Sequence, residues 1–322
     1  MKFFVTLRLN SMKKEDLQYN VIMGALKTFA LLPLGVLYGL SDMAAFVLHR
    51  CVKYRRAVIR KNLHAAFPEK SEKEIRRIER GFYRHLTDVS VETLKMLHIS
   101  DRQVRRRVRL SNEHLVAEAL QGGHPIILYL GHFGNWEWVP AMTMMLSEPK
   151  KMGALYLPQR EALMDRIIVK IRSRFNLLCI PKDTAFRRMV ELRRESPSFM
   201  IGFIGDQRPM GKNNLRHWIR FLNQPTAILV GGETIGDKIN ARYLYVEART
   251  LKRGHYELHF EKIAPDREAG GEFAVTKEYF RLLENSIRRE PSNWLWSHNR
   301  WVATPPEDWE NSTRSLPENL AK

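Results

Sequence analysis

Apolar residues recur at two periods along the chain, and the switch between them marks out its elements. Ser71 and Glu74 stand at the spacing of a capping box. After them Ile75, Ile78, Phe82, Leu86, Val89, Val91, Leu94 and Leu97 return near the helical period, so a long amphipathic helix is expected through about Leu97. A shorter helix, Asn112 to Gln121, ends at Gly122-Gly123. Then the pattern changes. Pro125 to Leu130 (PIILYL) is a continuous apolar run of strand length, as are Met152 to Tyr156, Leu177 to Ile180 and Phe199 to Ile204. Between them Glu161 to Phe175 and Asp183 to Arg194 have helical spacing. Buried strands alternating with helices predict an α/β fold, a mostly parallel sheet flanked by helices. Further on, Ala241 to Glu247 and Tyr256 to Phe260, joined through Lys252-Arg253-Gly254, read as an antiparallel hairpin. A helix from Thr276 to Arg289, the segment PSNWLWSHNRW and a polar tail close the chain.

The first fifty residues have a different character. Thr28 to Leu48 is a run of 21 residues with one charge, Asp42, about the length that crosses a bilayer core. Pro33, Gly35 and Gly39 interrupt it, so two readings stand: a membrane-embedded helix, or a buried or interfacial helix pair. RCVKYRRAVIRK follows directly, against four cations in the leader (Lys2, Arg8, Lys13, Lys14), which places the end of the apolar run on the cytoplasmic side. The expected division is a leader over 1–20, the membrane-embedded or interfacial segment over 21–50, one large domain over 51–305 and a tail over 306–322.

Charge narrows the partners. With 53 Lys and Arg against 35 Asp and Glu among 322 residues, the chain carries a net +18. That excess favours an anionic partner: nucleic acid, a phospholipid surface or a phosphorylated substrate. Basic runs such as RQVRRRVR match no recognised nucleic-acid motif, and no nucleic-acid partner is expected. Cys51 and Cys179 lack the spacing of a disulfide framework or a zinc site, which points to a reducing compartment. No metal and no cofactor is expected.

The chemistry concentrates where the first buried strand stops. YLGHFGNWEW places His132 five residues before Glu137 in a glycine-broken turn. In an open α/β sheet, reactive groups gather at the carboxyl ends of strands, and Asp206 follows another such end. A histidine suits general-base work at neutral pH, and a carboxylate on its second ring nitrogen fixes the tautomer. Such a pair can take a proton from a hydroxyl that attacks an activated acyl group. His132 and Glu137 do not share one helical face, so a metal site is poorly supported.

Five features in order carry a resemblance over nearly the whole chain: the N-terminal apolar helix, the basic stretch RKNLHAAFPEKSEKE, GHFGNWE after a strand, Tyr156-x-Pro158 leading a helix with Arg172, and a strand ending at Gly205-Asp206 before PSNWLWSHNRW. This order resembles the bacterial lipid A biosynthesis (lauroyl/myristoyl) acyltransferase family, within the lysophospholipid acyltransferase-like superfamily. The resemblance implies a glycerolipid acyltransferase-like fold with an N-terminal membrane helix. It implies His132 as general base with Glu137 as its orienting partner, and Arg172, Asp206 and Arg300 as substrate-binding or supporting residues. It also implies acyl carrier protein as donor, an anionic glycolipid as acceptor, and the bacterial inner membrane with the catalytic domain on its cytoplasmic side. Many members have Tyr-Arg-Pro where this chain has Tyr156-Leu157-Pro158, which bears on the acceptor more than on the chemistry. Two alternatives stay open: an acyltransferase acting on another lipid, and a basic membrane-binding protein without activity.

Overall fold

The computed structural model describes residues 2–209, 211, 215–307 and 309, with side chains from residue 15 onward. Residues 310–322 of the expected polar tail lie outside the described residues. Four helices come first: α1 (Lys2–Leu31), α2 (Leu34–Phe46), α3 (Arg56–Ala66) and α4 (Glu72–Lys95). Then follow α5 (Asp101–Arg107), β1 (Val108–Ser111), α6 (His114–Leu120), β2 (Ile126–Leu130), β3 (Met152–Tyr156), α7 (Ala162–Arg172), β4 (Leu178–Pro181), α8 (Ala185–Glu195) and β5 (Met200–Ile204). The last third holds the hairpin β6 (Trp218–Phe221) and β7 (Gln224–Ala227), α9 (Gly231–Lys238), β8 (Arg242–Lys252), β9 (His255–Lys262), the turn α10 (Arg267–Gly270) and α11 (Ala274–Arg289).

Seven strands form one sheet in the order β1-β9-β8-β2-β5-β3-β4. Every neighbouring pair is parallel except β8 with β9. The expected mostly parallel sheet is therefore present, with β2 and β5 at its centre. Alternate residues of β2 serve opposite faces: Ile127 and Tyr129 pack with Phe82, Met189 and Leu283, whereas Ile126, Leu128 and Leu130 pack with Val116, Ile167 and Ile171. Both faces are covered, which is why β2 is apolar throughout rather than alternating. The capping box at Ser71 and Glu74 is formed, as the spacing predicts.

The apolar N-terminal run is not one helix. It breaks before Pro33, which has no N–H to continue the ladder, and the two arms meet at 109°. Lys95 of α4, almost fully buried, donates to the carbonyls of Ala30 and Leu32 (2.7 and 2.8 Å) that the break leaves unpaired. No single helix among the described residues is long and apolar enough to cross a membrane, although the bent pair reaches the required length and composition.

One side of α2 is built into the domain. Ser41 donates to Asp88 (2.5 Å) and Tyr38 to Glu92 (2.8 Å), both carboxylates on α4. Asp42, the charge that interrupts the apolar run, accepts two bonds of 2.9 Å from Arg253 in the β8–β9 turn, and the same guanidinium binds Asp88. Gly254 sits beside it at φ +70°, and a Cβ there would stand 1.9 Å from the Tyr38 hydroxyl. Helix α2 thus covers the buried Asp88 and Glu92 and supplies each with one of its hydrogen-bond donors.

Deleting residues 1–48 is accordingly expected to abolish cooperative melting rather than to release a soluble catalytic domain, because it exposes Asp88, Glu92 and the apolar face of α4 together. Circular dichroism melts and size-exclusion chromatography of the truncated chain check this. A folded, monodisperse product would overturn it.

Candidate active site

β2 delivers its chain to the carboxyl end of the sheet, where Gly131 and His132 follow the last strand residue. A Cβ at Gly131 would meet Leu283 at 2.6 Å, so only glycine lets the backbone turn here against α11. Gly134 is more constrained still: its φ is +58°, and a Cβ would lie 1.8 Å from the carbonyl oxygen of Ala248. The turn is tied down from two sides. His132 O accepts from Leu295 N (3.1 Å) and Gly134 N donates to Asn293 O (3.0 Å), so the C-terminal segment runs against it as a short antiparallel bridge.

β5 ends beside β2 and brings Asp206 under the turn. Asp206 is 2% exposed. Its Oδ2 accepts the His132 backbone N–H (2.8 Å) and the Trp294 indole N–H (2.8 Å), and its Oδ1 lies 2.7 Å from His132 Nδ1. Burial pushes this carboxyl up, but the imidazole, the indole and the backbone donor outweigh it, and the group is held below the ordinary carboxylate value. An ionised Asp206 requires the proton on Nδ1, which leaves the Nε2 lone pair as the reactive edge of His132. Gln207 Nε2 lies 3.2 Å from that nitrogen.

The carboxylate bonded to the histidine is Asp206, whereas Glu137, expected as its orienting partner, is bonded to Arg172 instead. Glu137 turns the other way. It begins a 3₁₀ segment, Trp136–Met144, that carries its side chain toward α7. There Arg172 grips it with two parallel bonds, Nε to Oε2 (2.9 Å) and Nη2 to Oε1 (2.5 Å). Five residues of separation in a strained turn do not determine direction; the guanidinium at the end of α7 does. Trp136 lies between the two centres, its ring centroid 5.3 Å from that of His132 and its indole N–H on Glu137 (3.1 Å).

Behind the Glu137–Arg172 pair an apolar crevice runs between β2, β3 and β5, lined by Leu128, Leu130, Val139, Ala154 and Ile204. Cys179 is partly buried in it and Cys51 is exposed; both are free. Arg300, expected near the site, is 3% exposed and borders a different cavity, lined also by Arg208 and Trp301. Among the described residues no three His, Cys, Asp or Glu side chains converge as metal ligands.

Sequence reasoning missed the residues that hold the turn from outside. Asn62 of α3 donates to the carbonyls of Trp296 and His298 (3.0 Å each). Glu92 of α4 receives Asn135 (2.5 Å), Tyr38 (2.8 Å) and Tyr256 (2.5 Å), joining the turn to α2 and β9. The apolar period of α4 was readable, but a glutamate on its buried side shows its purpose only when three distant donors arrive.

With this geometry in place, the comparisons become informative. Residues 11–303 match the family described as bacterial lipid A biosynthesis acyltransferase. The chain belongs to that family. It is similar to the lipid A biosynthesis palmitoleoyltransferase of Escherichia coli (strain K12), with 24% identity over 285 residues, 88% of this chain and 90% of that protein. The lipid A biosynthesis acyltransferase of Shigella flexneri matches to the same extent, 24% over 285 residues. The family expected from the sequence thus agrees with an independent match across most of the chain.

Two outcomes follow for this acyltransferase. Glu137→Gln and Arg172→Gln should each destabilise it, and the double variant little more than either, since each single change leaves a largely buried partner unmatched; urea melts of the four proteins should give a coupling on the order of 1 kcal/mol. Additive losses would mean that the pair is not energetically linked. The second outcome concerns pH. Burial outweighs the three donors and raises the Glu92 carboxyl from 4.5 to about 7, with Asp88 adding to it. The folded state thus binds this proton more tightly than the unfolded chain, so the stabilisation is complete below pH 4.5 and lost as pH rises through about 7. Glu92→Gln should flatten that part of the melting-temperature profile between pH 5 and 8, and an unchanged slope would exclude Glu92 as its source.

Proposed function

We propose that the chain is an O-acyltransferase that moves a fatty acyl chain from acyl carrier protein to a hydroxyl of a lipid A precursor, with His132 as general base and Asp206 as its positioning residue. One observation carries this reading: a histidine that follows the carboxyl end of β2, with Nδ1 fixed on a buried carboxylate and Nε2 beside the Gln207 amide. The family membership supports the reaction class, and the names of both relatives, lipid A biosynthesis enzymes, support the acceptor class.

The geometry supports the following steps. The acceptor hydroxyl displaces the Gln207 amide from Nε2 and gives up its proton there as its oxygen attacks the thioester carbonyl. The imidazolium so formed faces the Asp206 carboxylate, which lowers the energy of the charged intermediate. Collapse of the tetrahedral centre breaks the carbon–sulfur bond, and the departing thiolate takes the proton from Nε2. An ester and a free thiol result, and the histidine is neutral again. The apolar crevice behind Trp136 has the lining an acyl chain requires, and the Glu137–Arg172 pair closes its polar end. In this role one edge of the Arg172 guanidinium, Nε and Nη2, is committed to Glu137.

Membrane attachment in this reading is interfacial rather than spanning. The faces of α1 and α2 turned away from the domain expose Leu17, Val21, Leu31, Val36, Met43 and Phe46, with Lys27 and Arg50 beside them. Apolar side chains flanked by cations suit a helix lying at the headgroup boundary. Arginines of α8 serve other ends: Arg188 pairs with Glu191 and Glu195, and Arg193 holds the carbonyls of Gly123 and Pro197 at the far end of the sheet. The acidic carrier protein and the anionic leaflet are both consistent with the net charge of +18.

His132→Ala is expected to lower turnover about 10²- to 10⁴-fold and, because it removes one of the three donors on buried Asp206, to cost about 1–3 kcal/mol of stability while the protein stays folded. Asp206→Asn should reduce kcat comparably while leaving the acceptor KM nearly unchanged, since it acts through the imidazole. The decisive assay is mass spectrometry of lipid A from cells with and without the gene, expected to differ by one acyl chain. Normal acyl transfer by folded His132→Ala protein would sink the assignment.

A further inference from the structure

Arg300 raises a question that the acyl-transfer chemistry does not answer. It is 3% exposed, yet among the described residues its side chain makes one hydrogen bond, from Nη2 to the carbonyl of Ala227. Its Nε is buried without a partner. No carboxylate pairs with it among the described residues: Asp206, the acid whose charge it feels most, is already occupied by His132 and Trp294. A buried cation left unmatched costs several kcal/mol, and here burial pushes the guanidinium down to about 10. A cation is retained at such a cost where an anion comes to it.

The surroundings describe that anion. Arg300 borders a cavity of about 450 Å³ between the β6–β7 hairpin and residues 301–303, within the usual range of small-molecule sites. Trp218 and Trp301 stand in its lining, fixed by bonds from their indole N–H groups to Leu215 O (2.9 Å) and Thr226 Oγ1 (2.8 Å). Arg208, exposed, stands at its rim, and its backbone N–H donates to His298 Nε2 (3.2 Å). Arg208 follows Asp206 by two residues, and His298, to which its backbone is bonded, stands close enough to Asp206 and His132 to feel their charges, so the cavity and the histidine are near one another. Aromatic walls suit the C–H faces of a sugar ring, and a guanidinium suits a phosphate.

We propose that this cavity is the subsite for a sugar-borne phosphate of the glycolipid acceptor, with Arg300 as the buried phosphate ligand, Arg208 as the rim cation and Trp218 and Trp301 as walls for the sugar. The assignment deepens the acyltransferase reading and rests on it. The anchored phosphate would hold the sugar so that a neighbouring hydroxyl reaches His132 Nε2, and it would make a phosphorylated acceptor preferred over its dephosphorylated counterpart.

The test uses the full chain in detergent, with acceptor and donor varied separately and the acceptor supplied phosphorylated and dephosphorylated. Arg300→Met removes the unmatched cation; its melting temperature should stay within a few degrees of the parent or rise, while KM for the phosphorylated acceptor increases about 10- to 100-fold, the loss of one charged hydrogen-bonding group. KM for the dephosphorylated acceptor should be unchanged. Exposed Val302→Asp, which adds a carboxylate at the rim without disturbing the core, should weaken the phosphorylated acceptor selectively. Independently of turnover, glucosamine 1-phosphate should quench tryptophan fluorescence saturably in the parent and not in Arg300→Met, with glucosamine giving no response. An equal loss for both acceptors, or a large drop in melting temperature with normal binding by the Val302→Asp protein, would make Arg300 structural and overturn the proposal. A defect confined to the donor would assign the site to a phosphate on the carrier's arm and overturn it as well. If the parent protein acylates no glycolipid yet binds glucosamine 1-phosphate through Arg300, the acyltransferase reading fails and the phosphate site stands.

Discussion

A buried carboxylate must be surrounded by donors, and the arrangement of this site follows from meeting that need at Asp206. Three N–H groups converge on it: the backbone and Nδ1 of His132 and the indole of Trp294. Two come from the turn after β2 and the third from the segment after α11. The turn after β2, the end of β5 and the segment after α11 are thereby held at fixed distances by one group of two oxygens. Unpaired, the carboxylate would take up a proton or draw in water. Paired, it fixes the tautomer of His132 and so determines which nitrogen keeps its lone pair. The glycines at 131 and 134 are the steric counterpart of this electrostatic requirement, since the turn can approach Leu283 and Ala248 only without side chains.

The sheet was legible because buried parallel strands carry a strong signal. Met152–Tyr156 was located to the residue, and β2, β4 and β5 within one residue at either end. What escaped were elements whose stability is borrowed. β1 is a four-residue edge strand that exists by pairing with β9, and α3 is a basic helix held by Asn62 and by Phe67 packing on Trp296. Nothing local in RRAVIRKNLHAAF predicts that it closes over the C-terminal segment. The same limit applied at the site. The residue types were readable, and His132, Asp206, Glu137 and Arg172 do occupy adjoining positions at one end of the sheet. Their pairing was not readable, because spacing along the chain says which residues can be near and not which carboxylate faces which cation.

The consequence is a division of labour between two acidic centres. Asp206 is sealed under the histidine, whereas Glu137 and Arg172 neutralise each other at the mouth of the apolar crevice. Keeping the second pair away from the imidazole matters electrostatically. A free carboxylate beside the thioester would oppose the negative charge that develops on the carbonyl oxygen. With its charge spent on a two-point guanidinium bond, Glu137 is a neutral wall to its neighbours and still fixes Trp136 against His132.

The N-terminal helices belong to the same argument. A charge inside an apolar run normally counts against membrane contact, yet Asp42 is matched by Arg253 and turned toward the domain, which leaves the opposite faces of α1 and α2 free to be apolar. Through Tyr38, Glu92 and Asn135 those helices are linked by hydrogen bonds to the turn that carries His132. α1 also reaches α7, the helix of Arg172, through Asp16 and Arg166 (2.6 Å). The N-terminal helices and the site are therefore joined by packing and hydrogen bonds rather than by a linker: the elements that expose apolar side chains are the ones tied to the turn of His132 and to the helix of Arg172.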